Sequence, residues 1–159
     1  MSNTTSTPPI IIVGTHRSGT SMLSGVLADL GLFLGRDLQP GHHESRLFQS
    51  LNIWMLRHES GGWDNPTPIR FLLDDPPARA VATDYVEFAL RSPRAARYSG
   101  LLDYLRHRGI ARRSGAWGWK DPRSTFTLPI WLDIFPDARI VHVLRHGVDV
   151  AASLRVRQA

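Results

Sequence analysis

The 159-residue chain contains no cysteine. That excludes disulfides, thiolate metal sites and phosphatases built on a cysteine nucleophile. Lysine is nearly absent as well: eighteen arginines stand beside a single lysine, Lys120. In a chain that otherwise uses Arg for positive charge, that lysine marks a position where a compact point charge is needed. Glutamate is scarce, with only Glu44, Glu59 and Glu87 present. No apolar run reaches eighteen residues, so no stretch reads as a transmembrane helix. Residues 1–9 lack the apolar core of a secretion signal and are expected to form a disordered tail; the expected compartment is the cytoplasm. The arginines form no basic run or stripe, so nucleic acid is not an expected partner, and the net charge of +5 is read as a general bias toward anionic ligands. Repeats and low-complexity tracts are missing. What remains, 42% hydrophobic and 21% charged, suits one globular domain over residues 10–159.

The stretch Ile10-Ile-Ile-Val-Gly-Thr-His-Arg-Ser-Gly-Thr-Ser21 organises the rest. Four apolar, mostly β-branched residues predict a buried strand. A loop with Gly14 and Gly19 follows. Met22, Leu23, Val26, Leu27 and Leu30 then recur at helical spacing, and Gly31 supplies a C-terminal cap. A strand that feeds a glycine loop and a helix start aims unpaired amides and the positive dipole end at one point, which suits an anion. The Gly14-x-x-x-x-Gly19 spacing is that of a nucleotide P-loop. Thr20 stands where that loop would carry lysine, and Arg17 is the loop's only fixed cation.

Downstream, Gly41-His-His-Glu44 leads into a helix of about a dozen residues whose apolar face is Leu47, Leu51, Trp54 and Met55. Gly61 to Pro68 reads as a loop. Pro76-Pro77 opens another helix, with Val81, Tyr85, Phe88 and Ala89 on one side. A further helix carries Tyr98, Leu101, Leu102 and Leu105. A short strand at Ala116–Trp119 ends on Lys120-Asp-Pro-Arg123, and a helix containing Pro129 follows. A third strand at Ala138–Leu144 ends on Arg145-His-Gly147, and a last helix begins near Val148. Three strands that each feed a polar loop and a helix predict an α/β fold. Its core is a P-loop-type parallel sheet flanked by helices, with a helical insertion between the first and second strands. Ligands bind such sheets at the carboxyl edge, where Arg17, Lys120, Arg123 and Arg145 are expected to converge.

These residues resemble the sulfotransferases that use 3′-phosphoadenosine 5′-phosphosulfate, in their bacterial and protein-tyrosine branches. Gly14-Thr15-His16-Arg17-Ser18-Gly19-Thr20-Ser21 is similar to the family's 5′-phosphosulfate loop. Arg145, with Ser153 eight residues later, resembles its 3′-phosphate motif. Trp119-Lys-Asp-Pro-Arg123 is similar to a KDPR segment, and Gly41-His-His-Glu44 with Asn52 resembles a G-x-[FW]-E…LN pattern. The resemblance implies in-line transfer of a sulfuryl group to a hydroxyl or amine without a metal, leaving 3′-phosphoadenosine 5′-phosphate. It implies that the loop residues hold the 5′ group and that Arg145 and Ser153 clamp the 3′-phosphate. Lys120 and Arg17 would meet the charge on the leaving oxygen. Glu44 is the expected base, with His42 or His43 as the alternative. The acceptor stays open among a carbohydrate, a protein tyrosine and a small alcohol or amine. Trp63, Trp117 and Trp119 would form either a sugar platform or core.

Three features depart from the family pattern. His16 stands where proline or lysine is usual, Gly147 replaces a frequent proline, and the chain ends six residues after Ser153. The expectation is therefore a domain whose C-terminal part is missing, with transfer activity in doubt for the chain as it stands. Two other functions compete: a P-loop kinase or hydrolase, and an inactive truncated nucleotide-binding domain.

Overall fold

The Ile-Ile-Ile-Val run forms the middle strand of a parallel sheet in the computed structural model, which describes residues 7–57, 61–62, 64–107, 109–110 and 115–158. This strand, β1 (Ile10–Gly14), is flanked by β2 (Gly118–Lys120) and β3 (Arg139–Val143), in the order β2-β1-β3. The register sets Ile10 opposite Gly118 and Arg139, Ile12 opposite Lys120 and Val141, and Gly14 opposite Val143. All three strands therefore end at one edge. A central parallel strand is covered on both faces, which explains the unbroken apolar run. Ile11 and Val13 face a core built around Phe48, Trp117, Trp119 and Trp131. Ile12 faces a smaller cluster with Leu32, Leu34, Leu23 and Leu27. Gly118 is obligatory: a Cβ there would overlap the backbone of Ile10.

Helix α1 (Thr20–Asp29) follows β1 directly. The insertion between β1 and β2 then holds α2 (Arg46–Arg57), α3 (Ile69–Asp74), α4 (Pro76–Arg91), α5 (Ala95–Ser99) and α6 (Leu101–His107). After β2 comes α7 (Ser124–Ile134), with Pro129 inside it, and after β3 comes α8 (Gly147–Gln158). The α/β class and the helical insertion are as the sequence predicts. Rings fill the centre: Phe48 of α2 stacks on Trp119 with centroids 4.0 Å apart, and Trp131 of α7 lies 4.8 Å from Trp119. Trp117 and Trp119 are thus core, not a sugar platform.

Several local expectations are corrected. Of the five residues at helical spacing in and just after α1, Leu23 and Leu27 pack against the core cluster, while Met22, Val26 and Leu30 are exposed. In α4 the buried face is Ala82, Val86, Ala89 and Leu90, and Val81 and Phe88 point outward. Gly100, at φ 90°, splits the expected single helix into α5 and α6. The α3 helix lies just beyond a segment read only as loop. The tail expectation fails for its last residues: Pro9 is buried, its carbonyl accepts from Arg139 N at 2.9 Å, and Thr7 O accepts from Trp117 Nε1 at 2.7 Å. Residues 1–6, Glu59 and Trp63 lie outside the described residues.

Candidate active site

At the carboxyl edge of the sheet a cavity of about 220 Å³ is walled by His16, Arg17, Gly19, Thr20, Ser21, His42, Glu44, Lys120, Pro122, Arg145 and Ser153. It is smaller than the roughly 300–1,000 Å³ of pockets for drug-sized molecules. A larger cleft of about 870 Å³ lies at the opposite edge, where Thr7–Pro9, Trp117 and Pro136–Ala138 precede the strands. Its charged groups, Glu87, Arg91 and Asp137, are of mixed sign, so it lacks the convergent positive charge of the smaller cavity.

The loop between β1 and α1 builds the floor. Gly14 is pressed against β3, where a Cβ would meet Val143 O at 2.6 Å. Its amide donates to Thr125 Oγ1 at 3.2 Å. Gly19, at φ 100°, is the N-cap of α1, and a Cβ there would meet nothing within 4 Å. The helix start is therefore open to a ligand, and its first-turn amides have no intrahelical partner. Arg17 takes φ 67°, a left-handed conformation uncommon for a residue with a side chain. Its Nε–H donates to Ser153 Oγ at 2.8 Å, and Arg145 Nη1 donates to the Arg17 carbonyl at 3.1 Å. Residues from the first loop and the last helix thus meet directly.

Lys120, at the end of β2, reaches the wall from within the protein. Its side chain is 2% exposed, and Nζ donates to Glu44 Oε1 at 2.8 Å. Glu44 Oε2 accepts from Gln49 Nε2 at 3.0 Å and from Arg123 Nη1 at 3.4 Å. Arg123 also donates from Nη1 and from its amide to Asp121 Oδ1, each at 2.9 Å. Asp121 Oδ2 accepts from Asn52 Nδ2 at 2.9 Å, and the same nitrogen donates to Ser124 Oγ at 2.9 Å. Asn52 Oδ1 in turn accepts from Thr127 Oγ1 at 2.7 Å and Trp131 Nε1 at 2.9 Å. One buried polar chain therefore runs from Trp131 through Asn52, Asp121, Arg123 and Glu44 to Lys120.

Burial alone would raise the Glu44 carboxyl, but the hydrogen bond and charge of Lys120, with Arg123 behind them, hold it below its ordinary value. Burial pushes Asp121 up, and Arg123 and Asn52 pull it part of the way back. Burial, helped by the Arg123 charge, lowers His16. The signs for Glu44 and His16 agree. A Glu held low contributes stability above its unfolded 4.5, lost as pH falls through the folded value. A His held low makes the unfolded chain the better proton acceptor just below 6.5, so stability also falls there on acidification. Urea unfolding at stepped pH is therefore expected to show a first decline beginning below about 6.5, absent in His16→Gln, and a second below about 4.5.

Of the sequence-predicted site residues, His16, Arg17, Gly19, Thr20, Ser21, Glu44, Lys120, Arg145 and Ser153 share the cavity wall. Gly14, Thr15 and Ser18 are outside it; Ser18 is buried, and its hydroxyl has no hydrogen-bond partner among the described residues. His42 reaches the wall, whereas His43 turns away, its Nε2 lying 3.6 Å from where a Cβ on Gly25 of α1 would be. Gln49 and the Asn52 network around Ser124, Thr127 and Trp131 escape sequence reasoning. Asn52 itself is marked in the sequence by the G-x-[FW]-E…LN resemblance and by its place among the apolar positions of α2, but its partners are not.

The family model described as sulfotransferase family matches residues 8–159. No curated protein and no solved structure matches the chain.

Proposed function

The chain belongs to the sulfotransferase family, and from that premise we propose that its cavity takes the 5′-phosphosulfate of 3′-phosphoadenosine 5′-phosphosulfate and passes the sulfuryl group to an acceptor hydroxyl or amine. The observation that carries this reading is the convergence of Arg17, Lys120, Arg145 and Ser153 on an open glycine loop at a helix start. The fit is chemical. The floor offers amides and hydroxyls, the wall offers three cations, and Gly19 leaves room for close approach.

When bound, the donor supplies an activated sulfuryl group on a good leaving phosphate. The first-turn amides, with the Thr20 and Ser21 hydroxyls, hold its anionic end. Arg145 and Ser153 take the 3′-phosphate, and Arg17 spans the two sites. Lys120 meets the negative charge that grows on the leaving oxygen; it is already desolvated and oriented by Glu44, so little reorganisation is needed. Glu44 stays a carboxylate and fixes that lysine. With three cations at the wall the reading assigns no role to a divalent metal.

Calorimetric titration with 3′-phosphoadenosine 5′-phosphate, beside Mg-ATP, tests the reading. Micromolar binding of the bisphosphate, unchanged by EDTA, is expected, with Mg-ATP weak or silent. Arg145→Ala is expected to weaken the bisphosphate by roughly 10–100-fold, the worth of a charge-assisted hydrogen bond. Tighter binding of Mg-ATP would overturn the sulfotransfer reading and favour a nucleotide kinase or hydrolase.

A further inference from the structure

Sulfuryl transfer to a hydroxyl needs a group that takes the acceptor's proton, and the geometry makes Glu44 a poor one. Both of its oxygens are already engaged, Oε1 by Lys120 at 2.8 Å and Oε2 by Gln49 at 3.0 Å and Arg123 at 3.4 Å. Protonating Glu44 would break the ion pair that holds Lys120. We propose that His16, the residue before Arg17 in the glycine loop, is the proton acceptor for the acceptor nucleophile; this rests on the donor assignment above.

Three observations support His16. It lines the same small cavity as Arg17, Lys120 and Glu44, with its Nε2 buried in the protein, which leaves Nδ1 as the nitrogen that would take the proton. It is carried by the loop and not by a helix, next to a residue in left-handed conformation, so its position is tied to the shape of the anion site. Its ring is half-buried among charges from every side: Arg123 and Asp121 beyond β2, Lys120 on β2, Glu44 ahead of α2, with Arg17, His42 and Arg145 also on the wall. Burial and the nearby cations keep the ring neutral, the form a base requires, at neutral pH and somewhat below. Imidazole has two nitrogens, so one can be held by the protein while the other takes a proton. His42 is the competitor, but it is exposed at the mouth.

The step balances. The acceptor O–H bond breaks as its proton moves to a His16 ring nitrogen, and the oxygen lone pair forms a bond to sulfur. The bond from sulfur to the bridging oxygen breaks, and its electron pair stays on the nucleotide phosphate, facing Lys120 and Arg17. His16 then returns its proton to solvent.

The test measures donor turnover against pH with water and with a series of phenols of rising acidity as acceptors, for the wild-type chain, His16→Gln, His42→Gln and Glu44→Gln. Bisphosphate calorimetry is run on each. The expected result is a rate that falls on the acid side below about 6.5 in the wild type. His16→Gln should lose about 10²–10⁴-fold in rate and that acid limb, with bisphosphate affinity intact. The loss should shrink for phenols acidic enough to ionise unaided, a dependence a packing defect would not produce. Persistence of the acid limb in His16→Gln, or its disappearance in His42→Gln or Glu44→Gln instead, overturns the proposal. So does a wild-type chain that binds the bisphosphate and turns over no donor, which would leave the nucleotide assignment standing. A wild-type chain that does not bind the bisphosphate overturns both.

Discussion

Lys120→Met is expected to lower the rate of sulfuryl transfer by about 10²–10³-fold, the cost of removing one preorganised charge from a developing anion. The same change strips Glu44 of its closest partner. Removing one member of a buried ion pair costs roughly 3–5 kcal/mol. Here Arg123 and Gln49 remain on Oε2, which places the loss at the low end of that range. Single-turnover kinetics give the first number and urea unfolding the second. Bisphosphate calorimetry on the same sample separates lost chemistry from lost fold. Lys120→Arg should not restore the rate, because a planar fork does not fit where an enclosed point charge sits. A methionine variant that transfers at the wild-type rate would sink the assignment of Lys120 to the leaving oxygen.

Asn52→Leu carries the second large effect, at a distance from the cavity. The amide makes four buried hydrogen bonds, to Asp121, Ser124, Thr127 and Trp131. Leucine has a similar volume and none of these bonds. Each donor or acceptor left unpaired costs about 1–3 kcal/mol, so a total near 4 kcal/mol is expected. For a domain of this size that is on the order of 10 °C in the thermal midpoint. Asn52→Asp adds a like charge beside Asp121, so it should be the worse variant at neutral pH and recover partly in acid, where one carboxyl protonates. Thermal unfolding at two pH values checks both. A leucine variant that melts with the wild type would remove the network from the account of stability.

The loop, the strands and their common edge were legible because each has a local cause. β-branched runs make strands, glycine makes the tight turn, and parallel strands put their loops at one end. Lys120 was legible through its rarity. What was not legible depends on which face a helix turns inward. Val81 and Phe88 are more apolar than Ala82 and Ala89, yet the alanines are inside, on the face that also carries Val86 and Leu90. Met22, Val26 and Leu30 share the helical spacing of Leu23 and Leu27, yet they are exposed, because spacing alone does not say which stripe meets the sheet. In the site, Glu44 could be placed near the chemistry from sequence, but not the fact that both its oxygens are engaged. That depends on Gln49 one turn into α2 and on Arg123 beyond β2. Asn52 is polar at an apolar position, and its partners come from α7 and the segment before it.

The place of β1 in the sheet carries a consequence for how the chain is made. It is the middle strand and is synthesised before both of its partners, which start at Gly118 and Arg139. Until then Ile10–Val13 has no edge to join. The insertion helices between it and β2 hold short-range contacts and can form early, whereas the sheet needs long-range pairing, which is slow. During synthesis and refolding the chain therefore carries an unpaired, β-prone apolar segment near its amino end, the kind that seeks strands in other molecules. Yield should fall as concentration and temperature rise during refolding, more steeply than the stability of the finished fold would suggest. Because the glycine loop hangs on that strand and the wall takes Lys120, Arg145 and Ser153 from the later ones, the anion site is whole only once β2 and β3 have joined β1, and a chain without them cannot use the ligand to speed its own assembly.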